Sequence, residues 1–478
     1  ASLYNIIDSI FIGQGVGALA ISGLAITFPL MNLAAAFGSL VGVGASALMS
    51  LRLGQKDYDS ANAILGNVLV LNLILGSLYS LVVLLFLDPI LYFFGASHDT
   101  LPYAHDFMVI ITLANPVTHM YFGLNALMRA SGNPVRSMNA TIISVIINIV
   151  LAPLFIFVFH WGIRGAALAT VIAQTSMMLW QLLYFTDRKR YIHIRGETFR
   201  LQYRIVKDSM SIGLAPFLMN MTSSAIVIII NQSLIRHGGD LAVGAYGIIN
   251  RIAALFVMIV LGLNQGMQPI AGYNYGARQY DRVTSVLKFT VFLASGVMTL
   301  GFLLCELFPH AVASVFTTNR ELIDIAAHGL RIVMLVFPIV GFQMVASTFF
   351  QSIGMAGKAI FMSLTRQVLF LLPGLLIFPP LLGVKGVWIS MPVADTLASI
   401  VAVYMLTVQY RKSILRQKIN EAKARTKDAV VLLEAKLDYS PWVREGFGTG
   451  DLVLVTDDVL EVVDLKFGRG VQVSAVDN

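Results

Sequence analysis

Among its 478 residues the sequence has a single cysteine, Cys305, which lies in an apolar stretch, so no disulfide can form within the chain. Charge is scarce too: Asp, Glu, Lys and Arg make up 12% of the residues, about half the share usual in soluble domains. Helices this poor in charge would need an impossibly large dry core in water, which excludes an ordinary soluble fold. The net charge of +7 is spread over short loops. It therefore reflects membrane topology and is no footprint for nucleic acid.

What the chain does have is hydrophobic length. Hydrophobic residues make up 57% of it, and apolar runs of about 20 residues, enough for a ~30 Å hydrocarbon core, recur to about position 410. The runs predict spans near 3–13 (incomplete), 20–50, 60–87, 104–128, 138–159, 165–186, 208–235, 242–272, 284–307, 324–350, 359–381 and 386–410. The fold class that follows is an all-α polytopic membrane protein with a small C-terminal α+β fragment. Alternate loops are basic: Arg52 and Lys56; Arg129 and Arg136; the stretch from Arg188 to Lys207; Arg278, Arg282 and Lys288; Lys358; Arg411 and Lys412. The intervening loops carry only Arg164, Arg236, Arg320 and Lys385. By the positive-inside rule the first set is cytoplasmic, which places both ends of the bundle inside.

The chain also repeats itself. Leu53-Gly54-Gln55-Lys56-Asp57-Tyr58-Asp59 returns as Tyr275-Gly276-Ala277-Arg278-Gln279-Tyr280-Asp281, 222 positions on. Ala130-Ser131-Gly132 returns as Ser352-Ile353-Gly354 at that offset, and the stretch from Gly162 returns from Gly383 at 221. A repeat this long in so apolar a chain predicts two homologous six-helix lobes, twelve helices in all, with a substrate path between them. The lobes are expected at 1–186 and 207–412, joined by a cytoplasmic linker over 187–206. The second lobe opens with Asp208-Ser209-Met210, whose counterpart would fall about fifteen residues before Ala1 by the repeat offset. The first helix is thus expected to lack its cytoplasmic half; a cleaved signal peptide is the alternative. Residues 413–478 repeat nothing upstream and are expected to form a partial soluble fragment, with strands at 451–455 and 460–465 around Thr456-Asp457-Asp458.

Tyr4-Asn5-Ile6-Ile7-Asp8, the two Gly…Tyr-Asp loops, Arg129-Ala130-Ser131-Gly132-Asn133-Pro134 and Asn148-Ile149-Val150-Leu151-Ala152-Pro153 resemble the multidrug and toxic compound extrusion (MATE) family over about 1–412. The resemblance implies two six-helix lobes around a V-shaped cleft and drug export driven by Na⁺ or H⁺ entry. Arg366-Gln367 and Pro392-Val393-Ala394-Asp395 fit its bacterial branches. It further implies a first-lobe cation site to which Asp8, Asn148 and Thr170 correspond, with Asn5 nearby. The family's second acid in that site falls on Ala152 here, leaving Asp8 as the one carboxylate. Because Na⁺ prefers several oxygen ligands, the substitution shifts the balance toward proton coupling. On residue chemistry alone Asp8 already stands out, since an acid at mid-membrane costs about 2.5–3.5 kcal/mol on insertion scales.

In the second lobe Arg366 and Asp395 are expected to pair, as a structural link or as part of the cleft. Arg251 reads as a snorkelling side chain, and Glu306 and His119 as satisfied neighbours. Met219, Met221, Met258 and Met267 are candidates for soft cleft walls or for plain packing, and Pro29, Pro153 and Pro373 for bends. In the tail, Glu445 to Asp451 followed by Asp464-Leu465-Lys466 resembles the phage-associated branch of the PD-(D/E)XK nucleases over about 428–478. In such a core Asp451 and Asp464 would hold Mg²⁺ and Lys466 would orient water. Half a nuclease core is expected to be inactive, so Mg²⁺ enters only if the tail works, and no catalytic residue or resident cofactor is expected.

The leading reading is therefore a secondary transporter and not an enzyme: a monomeric, H⁺- or Na⁺-coupled antiporter of organic cations. It would sit in a bacterial inner membrane, with the bilayer as its partner and no nucleic acid at the membrane part. Three others stay open: a lipid-linked sugar flippase, a membrane-tethered nuclease, and an incidental fusion of two gene fragments.

Overall fold

A computed structural model describes residues 11–425, with side chains to Tyr410 except at Ala18, and the tail backbone at 430–438, 447–455, 460–463 and 471–472. In lipid every backbone N–H and C=O needs a partner within the protein, and the apolar runs accordingly form helices. Eight helices are long and apolar enough to cross a membrane, ten spans if each of two bent pairs counts as one. The longest, Tyr203–Gly276, breaks at Gly239 and supplies two crossings, which makes eleven among the described residues. With the helical residues 11–15 of the first span, this is the twelve-helix arrangement that the repeat predicts.

The repeat is written into the backbone as well as the sequence. Positive φ angles fall in matched pairs 222 residues apart at Gly17 and Gly239, Lys56 and Arg278, Gly132 and Gly354, and 221 apart at Gly162 and Gly383. Lys56 and Arg278 close their helices identically: the next N–H, of Asp57 or Gln279, bonds the carbonyl of Arg52 or Asn274 at 2.9 Å. This is the left-handed C-terminal cap, here with a cation beside the negative end of the helix dipole.

Two expected spans turn out to be broken. Leu101–Leu113 meets Asn115–Ala130 at 55°, and Arg320–Met334 meets Phe337–Ser352 at 54°. Each second helix carries a proline in its opening turn, Pro116 and Pro338, again 222 apart. Proline lacks the N–H the previous turn requires, and its ring obstructs the carbonyl four residues back, so the helix restarts at a new angle. The prolines expected to bend helices act differently. Pro29 lies inside the continuous helix Ala18–Gly54. Pro153 and Pro373 instead adjoin π-helical turns at Leu154–Val158 and Thr365–Leu371.

The lobes meet along Ala18–Gly54 and Tyr203–Gly276, toward the ends that carry Arg52, Lys56 and Arg278. Gly54 and Gly276, repeat partners, sit where the two backbones touch. A Cβ on Gly54 would lie 1.9 Å from the Tyr273 carbonyl oxygen, and one on Gly276 2.2 Å from that of Leu51. Only hydrogen fits there, and it fits on both sides of the interface. Gln268 adds hydrogen bonds to the Val43 carbonyl and the Ser46 hydroxyl, both at 3.2 Å, and Phe37 packs against Phe217 with ring centres 5.1 Å apart.

The segment between the lobes is pinned to helix Tyr58–Leu85. The buried Asn62 amide donates to the Tyr191 carbonyl at 3.1 Å and accepts from the His193 N–H at 2.8 Å. Asn67 does the same one turn on, with the Arg200 carbonyl at 3.2 Å and the Gln202 N–H at 2.8 Å. Two asparagines thus satisfy a loop backbone that would otherwise need water.

Residues 401–478 form a unit of their own. Its strands Val430–Asp438, Phe447–Val455, Leu460–Val463 and Val471–Gln472 make an antiparallel meander in sequence order. Val455 pairs with Leu460 across the antiparallel strands Phe447–Val455 and Leu460–Val463, while the expected turn Thr456-Asp457-Asp458 lies outside the described residues. The strand Val430–Asp438 has no counterpart among the sequence expectations, whose alternation test favoured only the two segments beside that turn.

Candidate functional site in the two lobes

The first-lobe candidates lie on two neighbouring helices, Pro134–Pro153 and Gly162–Thr186. Pro134 opens the first of them, where its missing N–H is no loss, and the helix carries Asn148 inward four turns later. Asn148 is fully buried and donates from Nδ2 to the Thr170 hydroxyl at 2.8 Å. One turn further on, Ala152 is also fully buried, in an apolar cluster with Phe155 and Ala169 against which Phe11 packs. An acid at that position would face hydrocarbon. The structure therefore brings Asn148 and Thr170 together and leaves the place of the second acid dry. Asp8 and Asn5 lie outside the described residues.

The second-lobe candidates come together as well. Arg366 projects from the π-helical turn Thr365–Leu371, just before Pro373, and meets Asp395 on helix Val384–Arg425. Its Nε donates to Oδ1 and its Nη2 to Oδ2, the latter at 3.4 Å, so the planar guanidinium spans both carboxylate oxygens. The carboxylate side is 3% exposed and the guanidinium side 35%, which puts the open face of the pair on the arginine. Gln367 donates to the Ser223 hydroxyl at 2.5 Å while its own Oε1 is unpartnered among the described atoms.

This pair borders a cavity of about 590 Å³ in the second lobe, completed by Val43 and Arg129 of the first. Met219, Met344 and Met391 form soft walls; Tyr246, Asn264 and Gln367 contribute polar atoms. Of the methionines expected there, only Met219 lines the cavity. Met221 and Met258 are exposed but do not line the cavity, and Met267 is buried in the helix packing. Met344 and Met391 had no sequence signal, because nothing in their spacing separates them from ordinary core methionines. His119 meets the Ala34 carbonyl through Nε2 at 3.0 Å, but its Nδ1 and the Glu306 Oε2 are buried without a partner among the described atoms, so neither is the fully satisfied neighbour expected; Arg251 is exposed.

Electrostatics outside the spans are local. Asp57 caps helix Tyr58–Leu85 by accepting from the Ser60 N–H at 3.1 Å; the Ser60 side chain first, then that backbone bond and nearby Arg52, hold its carboxyl below the usual range. Arg164, in the first turn of helix Gly162–Thr186, donates to Asp106 at 2.7 Å. Among the described residues no group of three or more His, Cys, Asp or Glu could hold a metal ion.

A family model described as MatE matches residues 1–154 and 215–376. The chain belongs to the MATE family. The multidrug export protein MepA of Staphylococcus haemolyticus (strain JCSC1435) is 27% identical over 404 residues, which span 84% of this chain and 89% of that protein. Among solved structures, the MATE multidrug transporter DinF-BH, solved as a complex, is 36% identical, with a TM-score of 0.78, over 85% of this chain and 91% of that one. An outward-facing MATE transporter of the MOP superfamily superposes with a TM-score of 0.80 at 25% identity, over 86% and 92%. The MATE membership makes the chain a multi-pass secondary transporter and not an enzyme. Residues 402–478 match a second model, DUF2800, a protein family of unknown function. That match assigns the tail no nuclease activity, and it begins upstream of the expected boundary at 413. Asp464 and Lys466 lie outside the described residues, and Asp451 falls on strand Phe447–Val455.

Proposed function

We propose that the chain exports organic cations, including drugs, across a bacterial inner membrane by alternating access, as a monomer with both ends of its bundle cytoplasmic. One observation carries the reading: the lobes seal through Gly54 and Gly276 at the basic-loop end, while an amphipathic cavity stays open within the spans. Taking the basic loops as cytoplasmic, the seal closes the inner side, and rocking the lobes would open it. The methionine and aromatic walls suit ligands that share flatness and charge more than shape. The names of MepA and DinF-BH support the substrate class.

Coupling is proposed to run through Asp8, assisted by Asn148 and Thr170. The apolar setting of Ala152 leaves few oxygens for Na⁺, which favours H⁺. Transport by the chain in vesicles, driven first by a proton gradient and then by a Na⁺ gradient, tests this. Asp8→Asn is expected to abolish dye efflux under either gradient; undiminished efflux overturns the assignment. Dye efflux driven by Na⁺ alone would overturn the preference for protons.

For the tail, the separate match over 402–478 favours an origin distinct from that of the transporter. Reading genomic DNA continuously across codons 405–435 tests whether the junction is real, and Mg²⁺-dependent cleavage by the purified chain would revive the tethered nuclease.

A further inference from the structure

A second chamber, of about 880 Å³, lies at the basic-loop end. The first lobe contributes residues 129–134, the pinned linker 189–192, and the second lobe 265–274. Arg129, Lys189 and Arg190 line it, and no Asp or Glu does. The chamber shares Arg129 with the export cavity but adds Lys189 and Arg190, a lining that favours an anion over a cationic substrate.

Arg129 is the telling residue. Its guanidinium is held by neutral groups, the Asn125 side-chain oxygen and the Ser137 hydroxyl, and it has no carboxylate within ion-pair distance among the described residues. A partly buried charge without a counter-charge carries a desolvation cost, and the cost falls if an anion fills the chamber. Arg190 is also incompletely satisfied: it lies 3.3 Å from Asp187 without an aligned hydrogen bond, and it stacks 3.9 Å over the Tyr184 ring. The rim is of another character. Tyr58 stacks on Tyr191, with ring centres 5.6 Å apart, and Ile270 and Tyr273 are exposed apolar surface. Tyrosines at a span end mark the headgroup level of a bilayer. Cations inside and an apolar, aromatic rim form an amphipathic imprint, which a free inorganic anion would not require.

We propose that this chamber binds an anionic phospholipid, with the phosphate among Arg129, Lys189 and Arg190 and the chains against Ile270 and Tyr273. Because its walls come from both lobes and the linker, the lipid bridges the lobes at the seal. The inference does not depend on which substrate is exported.

Native mass spectrometry of the purified full chain in equal mixtures of phosphatidylglycerol and phosphatidylcholine tests it. The chain is expected to retain one phosphatidylglycerol in clear preference, and Lys189→Gln with Arg190→Gln to weaken retention about fivefold for each charge removed. Lys189→Gln alone, at an exposed linker position, gives the first fivefold step should the double variant fold poorly. Arg282→Gln with Lys288→Gln removes two exposed charges from another basic loop and is expected to change nothing. Equal retention of both lipids, or equal loss in the Arg282/Lys288 control, overturns the proposal. Displacement of the lipid by millimolar inorganic phosphate would make this a free-anion site and overturn the lipid assignment.

Discussion

The two lobes share a backbone and differ in chemistry. Counting back by the repeat, Arg366 corresponds to Ser144 and Asp395 to Gln174. Where the second lobe has an ion pair facing a cavity, the first has neutral residues at both positions, and Gln174 accepts from Thr118 at 2.6 Å. Conversely, Asn148 and Thr170 correspond to apolar positions, Thr170 to Met391 on the cavity wall. Duplication preserved what the helices need in order to bend, cap and cross. It left each inner face free to take its own polar groups, since an inward side chain can change without disturbing the bends at 55° and 54°. Under the function proposed above, this difference would let one lobe hold the coupling ion and the other the substrate.

The largest effect should come from breaking the second-lobe pair. Asp395→Asn leaves a half-buried guanidinium without its counter-charge, expected to cost about 2–3 kcal/mol of stability, below the full buried-pair penalty because a third of the arginine meets solvent. Arg366→Ser with Asp395→Gln, which copies the first lobe, should recover most of that loss, because both charges go together. Thermal unfolding in detergent decides it: a double variant no better than Asp395→Asn would show that the two lobes are not interchangeable at this level.

Next comes the interface, where the lobes are alike. Gly54→Ala and Gly276→Ala each push a methyl group into a backbone carbonyl, and overpacking of this kind costs about 1–3 kcal/mol. The two should match within error, and both should lower the population sealed at the basic end, read by cysteine accessibility in the inner loops. Unequal effects would show that the pseudo-symmetry stops short of this contact.

Much of this was legible in the sequence. Hydropathy and the repeat placed the spans, and the expected partners Asn148 with Thr170 and Arg366 with Asp395 do meet. The breaks at Pro116 and Pro338 were not legible, because hydropathy runs unbroken through a bend and only backbone hydrogen bonding registers it. The strapping of the linker by Asn62 and Asn67 was equally hidden, as it depends on contacts between residues some 130 positions apart. Asp8 and Asn5, central to the sequence reading, lie outside the described residues; of the four residues expected at a cation site, the structure places Asn148 and Thr170.

A third test sharpens the contrast in the first lobe. Asn148→Ala removes the bond to Thr170 and is expected to cost about 1–2 kcal/mol while weakening coupling more than drug binding. Ala152→Asp places an acid in the apolar cluster. Its destabilisation should be relieved by Na⁺, because the added carboxylate supplies the oxygen ligands that alanine lacks. A variant equally unstable with and without Na⁺ would show that this helix face cannot hold the ion even when given the acid.

The smallest effect compares two repeat-related caps. Asp57 accepts from the Ser60 N–H at the start of Tyr58–Leu85, whereas its counterpart Gln279 makes no side-chain cap for Tyr280–Leu307. Asp57→Ala is expected to cost about 0.5–1 kcal/mol at neutral pH, at the low end because over a third of the side chain is exposed. A carboxyl held below its usual range stabilises the fold above its unfolded pKa, and that contribution fades as pH falls through the folded one. The cost of Asp57→Ala should therefore begin to shrink below about pH 4, near the unfolded value, and be lost only once pH has fallen through the lower folded pKa. Gln279→Asp should gain a similar amount at neutral pH, and lose it in acid, by giving the second lobe the cap that only the first possesses. A gain independent of pH would mean that the new side chain acts by some route other than its charge.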